Sequence, residues 1–398
     1  MAHYCGIILM AACVGCTASD GGEPIVVSDS AGITIVESNE PLLGAGAWTL
    51  APDPRVTIGL MEGPQEFEFT RIISVLRLPD GRIVAANFTN PPNVRVYSPA
   101  GEHLSTFGGP GAGPGEFQAI AWIDLLSDDT LRVFDFWQAR VTYFDLTGNL
   151  FGTMPLLEVA GSPMTTFVLA PGFTGGDLLA RLNRLIPQDA QGRGRTFTPL
   201  VRVSRSGRAL DTLVTIPDAE YHVAPDGDGN LVHFTPRSAA LPSGDRMFVT
   251  TAEAYRIDEY TGDGVLRRSL RRTDPPRSVG PADVAALLDQ RLERARSDAE
   301  RVHLERSFNE VPHADMLPAY DRSILLDDIG NLWAKQYAAP RDSLANWDIF
   351  DESGRYLTVI TVPLAFNIVD VGSDDVLGIW RDELGVESIR LYELQKRP

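Results

Sequence analysis

Few residues of this chain have the types and spacing that chemistry requires. The run Asp226-Gly227-Asp228-Gly229-Asn230 opens like a calcium loop. An EF-hand loop needs Gly at its sixth place and a bidentate Glu at its twelfth. Those places hold Leu231 and Arg237, so the run reads as a Gly/Asp turn. His222 and His233 flank it without a metal-ligand spacing. There is no His-Glu-x-x-His, no Gly-x-Ser-x-Gly and no phosphate loop. The acid pairs Asp128-Asp129, Asp327-Asp328 and Asp374-Asp375 recur at the same place in a repeat, which marks them as turn formers and not as an acid/base pair. What remains is a set of binding candidates. Trp137 beside Arg140 and Asp135 would suit a sugar or peptide contact, and Trp380 with Arg381 is a second aromatic–guanidinium pair. Asp135 and Arg140 are also expected to pair with each other and fix a strand connection.

The elements that must position these residues are short β-strands. The stretch 107–117, FGGPGAGPGEF, holds five glycines and two prolines and can be neither helix nor strand interior. It links two equivalent units, and residues 62–67, EGPQEF, are a weaker copy of it. One unit runs from about residue 69 to 107, with strands at 72–78, 83–87, 94–97 and 104–107 and a Pro-Asp-Gly-Arg turn between the first two. The next repeats this order at 120–126, 131–135, 141–144 and 150–154. Looser units follow, with strands expected at 178–182, 200–203 and 210–216, and then at 231–234, 246–251, 254–260 and 265–270. The fifth unit is read at 323–326, 332–336, 347–350 and 357–362. The sixth, at 366–371, 376–381 and 386–394, stops one strand short. Four short strands per unit, repeated, describe the blades of a propeller. The spare strand 55–59 at the start can pair with 386–394 and close the ring, leaving no open seam. Residues 281–307 carry Val284, Leu288, Leu292, Ala295, Ala299 and Val302 at steps of three and four, so one amphipathic helix is expected there as an insertion.

Composition narrows the function. The 398 residues carry a formal charge of −18, with 53 acidic against 35 basic groups, which argues against a general nucleic-acid binder. The charge is uneven: residues 181–312 hold 20 Arg against 19 acids, which read first as solvated Arg on outer strands and loops and otherwise as a surface for an anion or acidic partner. All three cysteines, Cys5, Cys13 and Cys16, lie in the first sixteen residues, and the body offers no disulfide framework and no thiolate metal site. Residues 6–14 are apolar but too few to span a bilayer, and they read as the core of a secretory signal.

Two resemblances follow from these residues. Cys13-Val14-Gly15-Cys16 resembles a bacterial lipobox, with Cys16 as the lipidated residue and Cys13 as a second candidate, although Cys13 stands where Leu is usual and the segment before it lacks Lys and Arg. GPGEF, the strand-ending Asp135, Arg140-Val141-Thr142-Tyr143-Phe144-Asp145 and Gly148 resemble the NHL-type repeat. Over roughly residues 45–395 the chain is similar to bacterial lipoproteins described as six-bladed β-propellers. That resemblance implies fold and export and supplies no catalytic residues.

The expectation is an all-β, six-bladed β-propeller closed by an N-terminal strand, with one helical insertion at about 281–308. Residues 1–16 form the signal, 17–24 a tether and 25–398 the propeller. Its expected function is to bind a protein, peptide or carbohydrate in the cell envelope, as a monomer with no cofactor, held to the membrane by lipid alone. A lactonase-like hydrolase is the first alternative and a structural scaffold the second. A hydrolase of that kind needs a divalent metal held by side chains converging from the innermost strands, for which Asp124, Asn367 and Asp370 are the candidates.

Overall fold

The computed structural model describes residues 25–397 except 89–90, 128, 157, 160–161, 164–166, 183–185, 188–189 and 226. The signal with its cysteines, the tether 17–24, Asp128 and Asp226 therefore lie outside the described residues. Strands dominate, and six sheets of four or more strands, antiparallel within each repeat, follow one another along the chain. Blade 1 comprises Ile72–Arg77, Ile83–Asn87, Asn93–Tyr97 and His103–Phe107. Blade 2 comprises Ile120–Ser127, Thr130–Asp135, Arg140–Asp145 and Leu150–Pro155. In both, the strands fall where the repeat places them.

Each pair of neighbouring blades shares one apolar cluster. Val84 and Val96 of blade 1 meet Val133 and Phe144 of blade 2. Phe134 and Val141 meet Leu178 and Val201 of blade 3. Leu179 and Leu200 meet Met247 and Val249 of blade 4. Phe248 and Ile257 meet Tyr320 and Phe350 of blade 5, and Trp333 and Trp347 meet Phe366 and Val376 of blade 6. Leu377 and Ile389 of blade 6 return to Ile83 and Tyr97 of blade 1. A sheet whose two faces both meet neighbours must be apolar on both, which is why the second and third strands of blade 1 are buried along their whole length.

The ring closes as the spare strand requires. Val56–Ile58 lies antiparallel to Glu387–Lys396, with Ile58 opposite Ile389 and Val56 opposite Leu391. The chain before it does more than sequence reading assigned to it. Trp48–Leu50 pairs further along the same strand. Leu42, Leu43 and Gly46 donate backbone hydrogen bonds to Tyr356, Leu357 and Val359 on the outer strand of blade 5. The hairpin Ile25–Ser30 and Ile33–Ser38 adds in parallel to Leu266–Arg272, the outer strand of blade 4. Residues 25–58 thus form a strap along the rim that covers the outer edges of blades 4, 5 and 6 in turn.

Blades 3 and 4 differ from the sequence reading. The innermost strand of blade 3 is Phe167–Pro171, and Leu178–Leu182 is its second strand. Its third and fourth strands, Gly192–Val203 and Ala209–Val223, extend as a long ribbon through residues that read as a polar excursion. The innermost strand of blade 4 is Ala239–Ser243, while Gly229–Leu231 pairs with the blade 3 ribbon. A ribbon that leaves the disc has one solvated face, so its polar residues hide the strand signal. The insertion is two helices, Pro281–Glu293 and Asp298–Glu310, not one. Ser297 caps the second by accepting from the Glu300 amide, so the helical phase restarts there. Val302 consequently faces solvent, and Phe308 is the residue the second helix buries.

Candidate functional site

All inner strands start on one face of the disc, here the upper face, together with the links between blades and the loops joining second to third strands. The tight turns between first and second strands lie on the lower face. This topology assigns every candidate to a face.

In blade 2 the Asp135 carboxylate is fully buried. It accepts from the backbone amides of Gln118 (2.5 Å), Ala119 (3.3 Å) and Gln138 (2.9 Å), holding the start of the inner strand. The Arg140 guanidinium donates to the carbonyls of Gly113 and Glu116, each at 2.6 Å, and Ala112 at 3.2 Å. The expected Asp135–Arg140 ion pair is therefore replaced by a clamp. The two residues are opposite in register, and each grips the glycine-rich link instead of the other. The link is compact because Gly108 has φ +77 and a Cβ there would stand 2.5 Å from the Phe117 ring. Blade 1 repeats the design with other residues: Asn87 accepts from the amides of Thr70 and Arg71, and Arg95 and Tyr97 donate to the Glu66 carbonyl. Only Trp137 of the blade 2 set is free to meet a ligand, with 65 % of its surface exposed on the upper face.

The matching turn of blade 6 shows the same economy. Arg381 donates to Glu387 (Nε to Oε1, 3.1 Å), whose other oxygen accepts from the Ile72 amide at 2.5 Å, so this pair fastens blade 6 to blade 1. Trp380 is half-buried and carries the Arg390 guanidinium over its ring at 4.0 Å. Arg381, Arg71 and Asn367 line an upper-face cavity of about 570 Å³ between blades 6 and 1, floored by Ile72, Ile73 and Val369.

The three metal candidates do not converge. Asn367 opens the inner strand of blade 6 at the upper face, whereas Asp370 and Asp124 sit toward the lower face. Asp124 accepts from Arg132 Nε at 3.0 Å. Asp370 faces Arg77, whose guanidinium lies 3.8 Å from it, 3.4 Å from Asp328, and against Asp375. Burial pushes the Asp370 carboxyl up, the Arg77 charge opposing it. Among the described residues no group of three or more His, Cys, Asp or Glu side chains is placed to hold a metal ion. Asp375 and Asp328, read as turn formers, also neutralise Arg77. Asp327 keeps the turn role, accepting from Ile329, Asn331 and the Trp333 indole.

Sequence reading missed two acids because no motif marks them. Asp348 is fully buried between blades 4 and 5 and accepts from Arg272 (2.6 Å), Gln336, Tyr320 and Tyr356. Asp218, on the ribbon of blade 3, accepts from Arg181 at 2.7 Å and from the amide and hydroxyl of Ser238, which leads into the inner strand of blade 4. Asp218 stands near the upper end of its blade, as Asp135 and Asn87 do, whereas Asp348 sits opposite mid-strand Ala334 and reaches Gln336, which ends the second strand. The insertion is seated on the same face: His233, 3 % exposed, stacks on Phe308 with centroids 4.0 Å apart and hydrogen-bonds its carbonyl.

Comparison with known proteins agrees with this architecture. Residues 59–161 match the family model DUF5128, described as a 6-bladed beta-propeller. A DUF4221 member from Bacteroides vulgatus superposes with a TM-score of 0.53 at 10% identity, covering 88% of this chain and 99% of its own. A Bacteroides fragilis protein described as exported gives 0.49 at 12% identity over 92% and 100% of the two chains. Virginiamycin B lyase from Staphylococcus aureus gives 0.41 at 10% identity over 87% and 99%. A search of curated proteins gives no match. The fold and the partial family match define the class: this chain is a six-bladed β-propeller.

Proposed function

We propose that this propeller is an exported, lipid-anchored binding module of the bacterial cell envelope, built of NHL-like repeats, whose ligand is a protein, peptide or carbohydrate taken on the upper face. The observation that carries the binding reading is the pairing of the channel-side acids. Asp124 and the Asp370–Asp375 pair are each engaged by a guanidinium, from Arg132 and Arg77. A carboxylate held this way is a poor metal ligand, because displacing the arginine leaves a buried cation unpaired. The upper face offers instead exposed Trp137, the cavity lined by Arg381 and Asn367 and, over blades 4 and 5, a docked helical pair.

Export rests on residues 1–16 and anchoring on Cys16, with Cys13 second. No helix among the described residues is long and apolar enough to cross a membrane. One acyl chain binds only marginally, so attachment calls for the two or more chains that a lipoprotein cysteine carries. Cys16→Ser is expected to move the protein out of the membrane fraction, and retention of that variant would overturn the anchor. The binding reading is tested by immobilising the protein, exposing it to envelope extract and measuring the mass of what it retains. A module returns its ligand unchanged. Release of a cleaved product, lost when Asp370 is changed to Asn, would favour the hydrolase.

A further inference from the structure

One cluster at the upper ends of blades 3 to 5 holds more guanidinium than carboxylate among the described residues. Arg181, on the second strand of blade 3, donates to Asp218 at 2.7 Å. Arg237, in the segment entering blade 4, places its Nε 3.7 Å from the other Asp218 oxygen, an ion pair beyond hydrogen-bond reach. Asp218 also accepts from the Ser238 amide and hydroxyl and, at 3.4 Å, from the Thr198 hydroxyl, so its acceptor capacity is shared among several donors. The Nε groups of both Arg181 and Arg237 are buried and have no acceptor. Buried donors without partners are rare and call for an ion or water that completes them.

A third arginine joins them. Arg322 lies on the inner strand of blade 5, where residues 321–323 bulge out of the ladder between Tyr320 and Ile324. Bulges re-aim side chains and are common beside functional sites. Arg322 is exposed and has no hydrogen-bond or ion-pair partner among the described residues, whereas its neighbour Asp321 is taken by Lys335 at 3.1 Å. The inner strands of blades 3, 4 and 5 are neighbours in the ring, so Arg237, just before the upper end of one, and Arg322, near the upper end of the next, stand on adjoining blades. Burial lowers the Arg181 pKa, Asp218 opposes this, and the charges of Arg322 and Arg237 lower it further. Structural proteins pair such groups with acids, as Arg77, Arg132 and Arg272 are paired elsewhere in the ring. Among the described residues three guanidiniums here face one carboxylate, two more positive charges than negative.

We propose that Arg181, Arg237 and Arg322 form a binding site for a compact dianion, a phosphate monoester or a dicarboxylate, at the channel mouth beside blades 3 to 5. Guanidinium groups bind both chemistries through paired, charge-assisted hydrogen bonds. Asp218 orients two of the arginines and keeps the empty site from self-repulsion. The site deepens the binding-module reading by giving the ligand an anionic group.

Isothermal titration of the full propeller with inorganic phosphate, and separately with succinate, tests it at fixed ionic strength. One saturable site is expected for at least one of them, and which one binds identifies the anion class. Arg322→Gln removes an exposed residue without touching Asp218, and Arg237→Gln removes a second. Each is expected to weaken binding at least about tenfold, the loss of one charge-assisted hydrogen bond. Arg267→Gln, an exposed change on the outer strand of blade 4, is expected to have no effect. Absence of heat with both anions, unchanged affinity in Arg322→Gln, or equal weakening in Arg267→Gln would overturn the site. Failure here leaves the module reading standing, since that reading is tested by the fate of a retained ligand and by metal binding at Asp370, not by these anions.

Discussion

Asp135 and Arg140 show how a binding candidate read from sequence becomes a fastening. Their types suggested ligand contact or a mutual ion pair, yet both are spent on the backbone of the link between blades 1 and 2. Removing the Asp135 carboxylate strands three backbone donors, two of them at the start of an inner strand. Asp135→Ala is expected to lower stability by about 2–4 kcal/mol, read from urea midpoints, because each buried unsatisfied donor costs roughly 1–3 kcal/mol and water recovers part of it. Trp137→Ala should change stability by no more than about 0.5 kcal/mol, as a surface substitution does. Equal effects of the two changes would show that Asp135 is not a clamp. Asp218 adds a pH dependence. Burial raises its carboxyl, but Arg181, the Ser238 amide and Arg237 lower it more, and the net direction is below the ordinary carboxylate value. A depressed carboxyl contributes stability above its unfolded value of about 3.9 and loses it as pH falls through the folded value. Urea midpoints of the wild type should therefore fall below about pH 4 more steeply than those of Asp218→Asn. Parallel curves would mean that Asp218 is not charged in the fold. Such residues were hard to find from sequence because their partners are backbone groups brought from a neighbouring blade.

The blade was legible wherever the repeat is strict. GPGEF, Asp135, Arg140 and Gly148 placed blades 1 and 2 strand for strand, and the missing strand of blade 6 pointed to Val56–Ile58. The signal failed where a strand has no repeat partner or a solvated face, as in Phe167–Pro171 and the long ribbon of blade 3. It also failed at the helices, since steps of three and four in the sequence continue across the break at Ser297 although the second helix turns Val302 to solvent. The rim strap was invisible because its parallel partner, Leu266–Arg272, is far along the chain and no repeat or turn signal links the two. A chain starting at residue 60 loses the strand opposite Ile389–Leu391 and uncovers the outer edges of three blades. It should melt at lower temperature and self-associate, as followed by calorimetry and light scattering. A monomer with the full-length melting temperature would mean that residues 25–58 do not hold the ring.

At the scale of the molecule, closure makes one rigid disc with two different faces. The lower face carries tight turns and the acids that neutralise Arg77. The upper face carries the links, exposed Trp137, the helical pair and the unmatched arginines of blades 3 to 5. The charge inventory set residues 181–312, with 20 Arg, apart as the less acidic part of the chain, and Arg181 and Arg237 of the proposed site fall there while Arg322 does not. Which arginines stay unpaired was not legible, because pairing is decided by contacts between blades.

The central claim is that this disc binds its ligand and does not use a channel metal to transform it. Divalent-metal titration of the purified, metal-stripped propeller tests this most directly, with calcium, magnesium and zinc each followed by calorimetry in wild type and Asp370→Asn. With Asp370 and Asp375 committed to Arg77 and Asp124 to Arg132, no stoichiometric site dependent on Asp370 is expected. A single site that binds one of these ions in the wild type and is lost in Asp370→Asn would contradict the claim and return the hydrolase to first place.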